Sequence, residues 1–238
     1  MRSWLPACLL SRATLPKVSK LDPIALAVVY NPNPEVIKTL KSFGLSVRTP
    51  AVKASMLELA TSDSSEGLSK IKALCEAGAN LEAKDRNGRT PLMLAAQGTS
   101  NVELVKTLIA SGANVNARDK YGNTALIFVS KHPELYLAIV KALLAAGANV
   151  NERNGNNRPP LIIAIYENSD PAFVKLLLEA GADVNAETPS GKTALINAAA
   201  FKPNLLIVKL LIKTKVDLDH QDRRGLSALM HAMDRRRD

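Results

Sequence analysis

The chain has 238 residues, of which 47% are apolar and only 4% aromatic, and its formal net charge is +9. Its two cysteines, Cys8 and Cys75, are far apart, so they offer neither a disulfide framework nor metal-ligand spacing. No apolar run reaches the roughly 18 residues of a membrane span. These features argue against a disulfide-stabilised domain and against a membrane span, and they favour a core of small aliphatic side chains.

Residues 1–20 form a basic leader that contains no acidic residue. Its apolar stretch, from Trp4 to Leu10, is short and is interrupted by Pro6. A secretory signal needs about 7–15 apolar residues and a small-residue cleavage site, so this leader is a marginal signal. We expect a cytoplasmic protein, with export or anchoring through the leader as the alternative.

From residue 21 onward one pattern recurs every 34 or 35 residues. A glycine expected to end a helix recurs in phase with a Thr-Pro-Leu-like string that begins at residues 90, 124, 159, 193 and 227. Two landmarks in phase predict a solenoid whose repeats contact their neighbours. We expect a single repeat domain over residues 21–238. Its predicted repeats span about 21–49, 50–84, 85–118, 119–153, 154–187 and 188–221, with a partial repeat at 222–238.

Each repeat is expected to hold a turn and two helices. Residues 85–88 form the turn of one unit, Thr90 caps its first helix, and the second helix places apolar residues on one face. Gly112 ends that helix in the left-handed conformation. In the sixth repeat Lys215 replaces this glycine. A non-glycine residue there costs about 1 kcal/mol, so we expect a looser repeat.

The string Asp-x-x-Gly-x-Thr-Pro-Leu, followed by Ala-Ala and by Leu-Leu-x-x-Gly-Ala-x-Val-Asn, resembles the ankyrin repeat. Residues 85–118 and 119–153 carry it almost complete. The resemblance implies an all-α ankyrin-repeat solenoid of about six helix-pair repeats plus a partial C-terminal repeat, with hairpin-like turns between repeats. It also implies a protein-binding scaffold whose concave groove is formed by the turn tips and the first helices. The usual His after Thr-Pro-Leu is replaced here by Met or Ile, a departure that turns a polar link into apolar packing.

The resemblance marks the turn tips and the ends of the first helices as candidate partner contacts. The tip residues are Arg86, Asn87, Arg89, Lys120, Tyr121, Asn123, Asn156, Arg158, Ser190, Lys192, Arg223 and Arg224, and the helix-end residues are Lys131, Tyr166 and Phe201. Tyr and Arg are enriched at binding hot spots and Phe in interfaces. We therefore expect Tyr121, Arg158, Tyr166 and Phe201 to anchor a partner. The alternative is that tips are polar simply because they face solvent.

The net charge is uneven along the chain: +6 for residues 1–53, −2 for 54–190 and +5 for 191–238. A nucleic-acid-binding protein usually concentrates its positive charge on one working face. Basic ends around a nearly neutral middle are more typical of solvated termini. A nucleic-acid-associated function of the basic termini is therefore the alternative to a protein-binding scaffold, and we do not expect nucleic acid as the partner.

The chain shows no catalytic pattern. Residues 186–193 end in Gly-Lys-Thr, as a phosphate-binding loop does, but they fall on an inter-repeat turn with no strand before it. His132, His220 and His231 lie in different repeats without a partner at metal-ligand spacing, and we expect them at the surface or at caps. We predict no enzyme activity, no cofactor, no metal and no small-molecule substrate. The expected partner is a protein that the sequence does not identify.

Overall fold

The structure is a computed structural model that describes residues 22–31, 33–98, 100–130, 137–167, 170–200 and 204–234. The leader at residues 1–20 and the predicted contacts Lys131 and Phe201 lie outside the described residues. The described residues form thirteen helices: α1 (Pro23–Tyr30), α2 (Glu35–Ser42), α3 (Pro50–Leu59), α4 (Ser65–Glu76), α5 (Pro91–Gly98), α6 (Val102–Ala110), α7 (Ala125–Val129), α8 (Leu137–Ala145), α9 (Pro160–Tyr166), α10 (Pro171–Glu179), α11 (Ala194–Ala200), α12 (Leu205–Ile212) and α13 (Ala228–Asp234).

The helices are arranged in two layers. The first helices of the repeats, α1, α3, α5, α7, α9, α11 and α13, pack each against the next. In the second layer α2, α4, α6 and α8 pack in the same order, and α10 packs against α12. Six helix pairs followed by a single helix confirm the predicted all-α solenoid.

Polar caps and prolines begin many of these helices. Asn101 Oδ1 accepts from the N–H of Leu104 (3.1 Å) at the start of α6, and Thr124 Oγ1 accepts from the N–H of Ile127 (3.3 Å) at the start of α7. A proline, which has no N–H to leave unpaired, stands at the first position of α1, α3, α9 and α10. After the second helices of the first five repeats comes a glycine with φ between 83° and 94°. The predicted helix ends are confirmed at these five positions.

The core lies between the two layers and is almost entirely aliphatic. In α6, Leu104, Val105 and Leu108 are all 0% exposed, and the first helix α5 buries Ala95 and Ala96 completely. The predicted replacement of histidine by apolar packing holds in the middle repeats, where Met93, Ile127, Ile162 and Ile196 are buried. Small residues at the contacts allow the first helices to approach closely, as the low aromatic content predicts.

The expected strain at Lys215 is wrong. Among the described residues Asn157 is the only non-glycine with a positive φ, at 56°. Instead of a left-handed residue, the end of α12 has Thr214, whose N–H and Oγ1 both donate to the carbonyl of Leu211 at 3.0 and 2.6 Å. The sixth repeat therefore ends its second helix without the cost that a left-handed lysine would carry.

Asparagine side chains tie consecutive repeats together on the loop side of the stack. Asn116 Nδ2 donates to the carbonyl of Gly147 (3.0 Å), and its Oδ1 accepts from the N–H of Asn149 (2.8 Å). Asn151 and Asn185 make the same pair of bonds to the next repeat, at distances between 2.8 and 3.1 Å. Each side-chain amide therefore binds two backbone groups of the next repeat. These bonds fix the position of one repeat relative to the next, and with it the spacing of the turns.

Candidate functional site

Five turns lead into the first helices of the third to seventh repeats, at residues 85–89, 119–123, 154–158, 188–192 and 222–226. In each turn the first N–H donates to the fifth carbonyl, as from Asp85 to Arg89 (3.0 Å). The side chain of the first residue also braces the turn: Asp85 Oδ1 accepts from the N–H groups of Asn87 and Arg89, both at 2.8 Å. Each turn is thus held by its own first residue, and the second and third residues of every turn are exposed.

Backbone hydrogen bonds join neighbouring turns at three of the four steps between them, so the tips form a row with one unbonded step. The N–H of Lys120 donates to the carbonyl of Asn87 (3.0 Å), and the N–H of Gly155 donates to the carbonyl of Tyr121 (2.7 Å). The N–H of Arg223 makes the same bond to Ser190 (3.1 Å). Between the fifth and sixth repeats the donor position is Pro189, which has no N–H, so the bond is missing at that step.

Two arginines connect the tips to the ends of the first helices. Arg89 pairs with Asp85 Oδ2 (2.8 Å) and donates through Nη1 to Gln97 Oε1 (2.9 Å) at the end of α5. Arg158 occupies the same turn position two repeats later, and its guanidinium carbon stands 4.6 Å from the ring centroid of Tyr166 at the end of α9. Tips and helix ends therefore line one side of the stack, and we call this surface the groove.

The groove opens into a cavity between the fourth and fifth repeats. Its volume is about 450 Å³, and it is lined by Lys120, Tyr121, Asn123, Asn154, Gly155 and Asn156. Tyr121 stands beside it with 62% of its surface exposed. An exposed tyrosine next to a polar cavity provides both apolar area and hydrogen-bonding groups for a partner side chain.

The structure places the predicted contact residues in three groups. Eight of them are exposed: Arg86, Asn87, Lys120, Tyr121, Asn156, Ser190, Arg223 and Arg224. Arg89, Arg158, Tyr166 and Lys192 are half-buried. The prediction that Asn123 contacts a partner is wrong. Asn123 is only 6% exposed, and its Nδ2 donates to Asp119 Oδ2 (3.1 Å), so its side chain stabilises the turn. Sequence reasoning missed the cavity residues Asn154 and Gly155, because both look like ordinary turn residues.

The carboxylates of two turns are ionised more readily than usual. Burial alone would raise the pKa of Asp85, but hydrogen bonds from Arg89 and Asn87 outweigh it and lower that pKa. Burial would likewise raise the pKa of Asp222, but the hydrogen bond with His231 and those from the backbone of Leu226 and Arg224 lower it to about 2. The expectation of a surface or cap position is wrong for His231, which is 9% exposed in the middle of α13 with Nε2 2.9 Å from Asp222 Oδ2.

The low pKa of Asp222 predicts that acid loosens the last turn. A carboxylate whose folded pKa is depressed contributes its stability above the unfolded value of about 3.9 and loses it as the pH falls towards the folded value. We therefore expect the stability difference between the wild type and Asp222→Asn to shrink between about pH 4 and about pH 2. Urea unfolding at both pH values measures it, and an unchanged difference would contradict this account of the turn.

The described part of the chain has neither a metal-binding cluster nor a membrane-spanning helix. No group of three or more His, Cys, Asp and Glu residues there is arranged to hold a metal ion. Within the same residues, no helix has the length and apolar character needed to cross a bilayer.

Comparison with protein families agrees with the architecture. A family model described as ankyrin repeats matches the chain in three copies, over residues 24–154, 98–188 and 161–238. A comparison with curated proteins finds no match. Ankyrin repeats are generally protein–protein interaction modules and typically non-enzymatic. Since the matches extend over most of the sequence and the helices stack in the predicted pairs, the chain belongs to the ankyrin-repeat family.

Proposed function

We propose that this protein is a non-catalytic scaffold that binds a protein partner through the groove. The observation that carries the proposal is the presence on this surface of two anchor residues, one exposed and one already held in place by an aromatic ring. Tyr121 is 62% exposed beside the cavity, and Arg158 is already stacked on Tyr166 at 4.6 Å. Tyr and Arg are the residues most enriched at binding hot spots. A fixed arginine on an aromatic face also loses little conformational freedom when a partner arrives.

The opposite side of the stack is a poorer candidate. On the second helices two of the exposed lysines are paired along their own helix: Lys106 Nζ lies 2.8 Å from Glu103 Oε1 in α6, and Lys175 Nζ lies 3.6 Å from Glu179 Oε1 in α10. Pairs at this spacing are typical of a solvated helix face and contribute only about 0.2–0.5 kcal/mol each. The groove, in contrast, has the cavity and the exposed aromatic ring.

The rigidity of the tip row favours recognition of a fixed shape. The bonds from Lys120 to Asn87 and from Gly155 to Tyr121 hold three consecutive tips in one register. Preorganised surfaces bind more tightly because ordering the surface costs no free energy at the moment of association. We also propose that residues 21–238 act as one repeat domain, since the first helices pack each against the next from α1 to α13.

Capture from a lysate of the organism that encodes the protein tests the proposal. The immobilised wild type is compared with Tyr121→Ala/Arg158→Ala after nuclease treatment, and captured proteins are quantified by mass spectrometry. We expect specific proteins to be retained by the wild type and depleted at least about tenfold by the double variant, which corresponds to a loss of about 1.4 kcal/mol.

The matched control is Lys106→Ala/Lys175→Ala on the second helices, which removes two exposed side chains from the opposite face. This control must retain the same proteins as the wild type. Circular dichroism and thermal unfolding confirm that both double variants are folded. Capture that is equal in wild type and groove variant, or equally lost in both double variants, would contradict the groove as the binding surface.

A further inference from the structure

Positive charge dominates the outer side of the tip row. The five turns contain seven basic residues, Arg86, Arg89, Lys120, Arg158, Lys192, Arg223 and Arg224. Their only acidic residues, Asp85, Asp119 and Asp222, each stand first in a turn and accept hydrogen bonds from the turn's own N–H groups. The carboxylates thus face into the turns, while four of the seven basic side chains, those of Arg86, Lys120, Arg223 and Arg224, are exposed.

Most of this positive charge is left unneutralised. Arg86, Lys120, Arg223 and Arg224 are exposed, and none of the four forms an ion pair with the described part of the chain. Arg89 is different, because Asp85 pairs with it at 2.8 Å. The row therefore presents a line of free cations that the fold itself does not use.

Arg158 adds an unfilled hydrogen-bond donor to this line. Its Nε is shielded from solvent and has no acceptor among the described residues. A buried donor without an acceptor is unfavourable. Because this Nε is shielded, a partner carboxylate reaches it only when the guanidinium shifts from its place over Tyr166; the two groups then pair side-on, in the bidentate geometry that arginine favours.

The spacing of the tips matches an extended chain. Packed helices lie about 8–10 Å apart, and each turn follows the step of its first helix, so successive tips recur at about that distance. An extended peptide advances about 3.1–3.4 Å per residue. Every third residue of such a peptide therefore reaches the next tip, at about 9–10 Å.

A nucleic acid fits this row less well. Each of its strands carries one phosphate per about 3.4 Å of helix axis, which is a denser line of charge than one or two basic residues per repeat.

We propose that the partner of this protein presents an acidic, extended segment, with carboxylates at about every third residue, that lies along the tip row from Arg86 to Arg224. This inference rests on the proposed function and names the chemical class of the partner. The carboxylates pair with Arg86, Lys120, Arg223 and Arg224, while Arg158 receives one side-on. Tyr121 contacts an apolar side chain of the same segment at the cavity.

Fluorescence anisotropy with a synthetic peptide tests this inference. The probe has glutamate at every third position, proline and alanine between, and one leucine near its centre; a second peptide has glutamine in place of every glutamate. The tip variant is Lys120→Glu/Arg223→Glu/Arg224→Glu. The control is Lys72→Glu/Lys141→Glu/Lys209→Glu, which reverses the same number of exposed charges on the second helices α4, α8 and α12.

We expect the glutamate peptide to bind the wild type and the control variant, and to bind the tip variant at least about tenfold more weakly. We expect the glutamine peptide to bind the wild type at least about tenfold more weakly than the glutamate peptide. Absence of binding by the glutamate peptide, equal binding by the two peptides, or equal loss in both charge-reversal variants would overturn the inference. A single-stranded DNA that binds the wild type more tightly than the peptide, and is lost with the tip variant, would also overturn it in favour of nucleic acid.

Failure of this inference is distinguishable from failure of the proposed function. If the glutamate peptide does not bind while Tyr121→Ala/Arg158→Ala still abolishes capture from the lysate, the groove remains the binding surface and the acidic segment is rejected. If capture does not depend on Tyr121 and Arg158, the groove itself is rejected, whatever the peptide does.

Discussion

Replacing Phe173 by alanine is expected to lower the free energy of unfolding by about 3–5 kcal/mol, because truncation of a buried aromatic ring leaves a cavity as well as removing apolar burial. Phe173 lies in α10, is 0% exposed and is among the largest fully buried side chains. In a solenoid each repeat is stabilised by its neighbours. The loss should therefore weaken both junctions of the fifth repeat. Urea unfolding followed by far-ultraviolet circular dichroism measures it.

Leu205→Ala is the control for this substitution. Leu205 begins α12 on the same layer of the stack but is 63% exposed, so its truncation should change stability by less than about 0.5 kcal/mol. Similar losses in the two variants would show that the second helices do not enclose a core at α10, contrary to the two-layer packing.

The second large effect is expected where two tips meet: Gly122→Ala should lower the free energy of unfolding by about 2–3 kcal/mol. Gly122 has φ +72°, a conformation that costs a residue with a Cβ about 1 kcal/mol. A Cβ there would also stand 2.8 Å from Arg118 Nη2 and 2.9 Å from the backbone N of Gly155. Either the Arg118 side chain or the next turn would have to move. Thermal and urea unfolding measure the loss.

Gly112→Ala separates the two causes. Gly112 has φ +94°, but no atom lies within 4 Å of a Cβ built there. Gly112→Ala should therefore lower the free energy of unfolding only by the cost of the positive φ, about 1 kcal/mol. Equal losses at Gly112 and Gly122 would mean that the tips of the fourth and fifth repeats do not approach as closely as the bond between Gly155 and Tyr121 requires.

Local chemistry made the fold predictable from the sequence. Thr124 at a cap, Pro160 at a first helical position and Gly112 after a second helix each act within a few residues of their place in the chain. Because such signals recur in phase, the helix pairs could be placed before any contact was known. The prediction for Lys215 was wrong because it considered the glycine position alone: Thr214, the residue before it, donates to the carbonyl of Leu211 and satisfies it without a left-handed residue.

The candidate site was less predictable, because it depends on contacts between repeats. Nothing in the residues around Asn123 indicates that its side chain turns inward to Asp119, or that Arg89 is held by Asp85 and Gln97 while Arg158 is stacked on Tyr166. Equivalent sequence positions therefore differ in what they offer a partner. The missing bond at Pro189 could have been foreseen, since proline has no N–H, but only once the tip-to-tip bonds were known.

The most direct test of the groove is site-specific photo-crosslinking in the nuclease-treated lysate. A photo-reactive phenylalanine derivative replaces either Tyr121, at the tip beside the cavity, or Lys106, whose side chain is 57% exposed on the second helix α6. We expect the proteins captured by the wild type to crosslink to position 121 and not to position 106. Crosslinking of those proteins at position 106 alone, or equally at both positions, would contradict the groove as the surface through which this ankyrin-repeat protein binds.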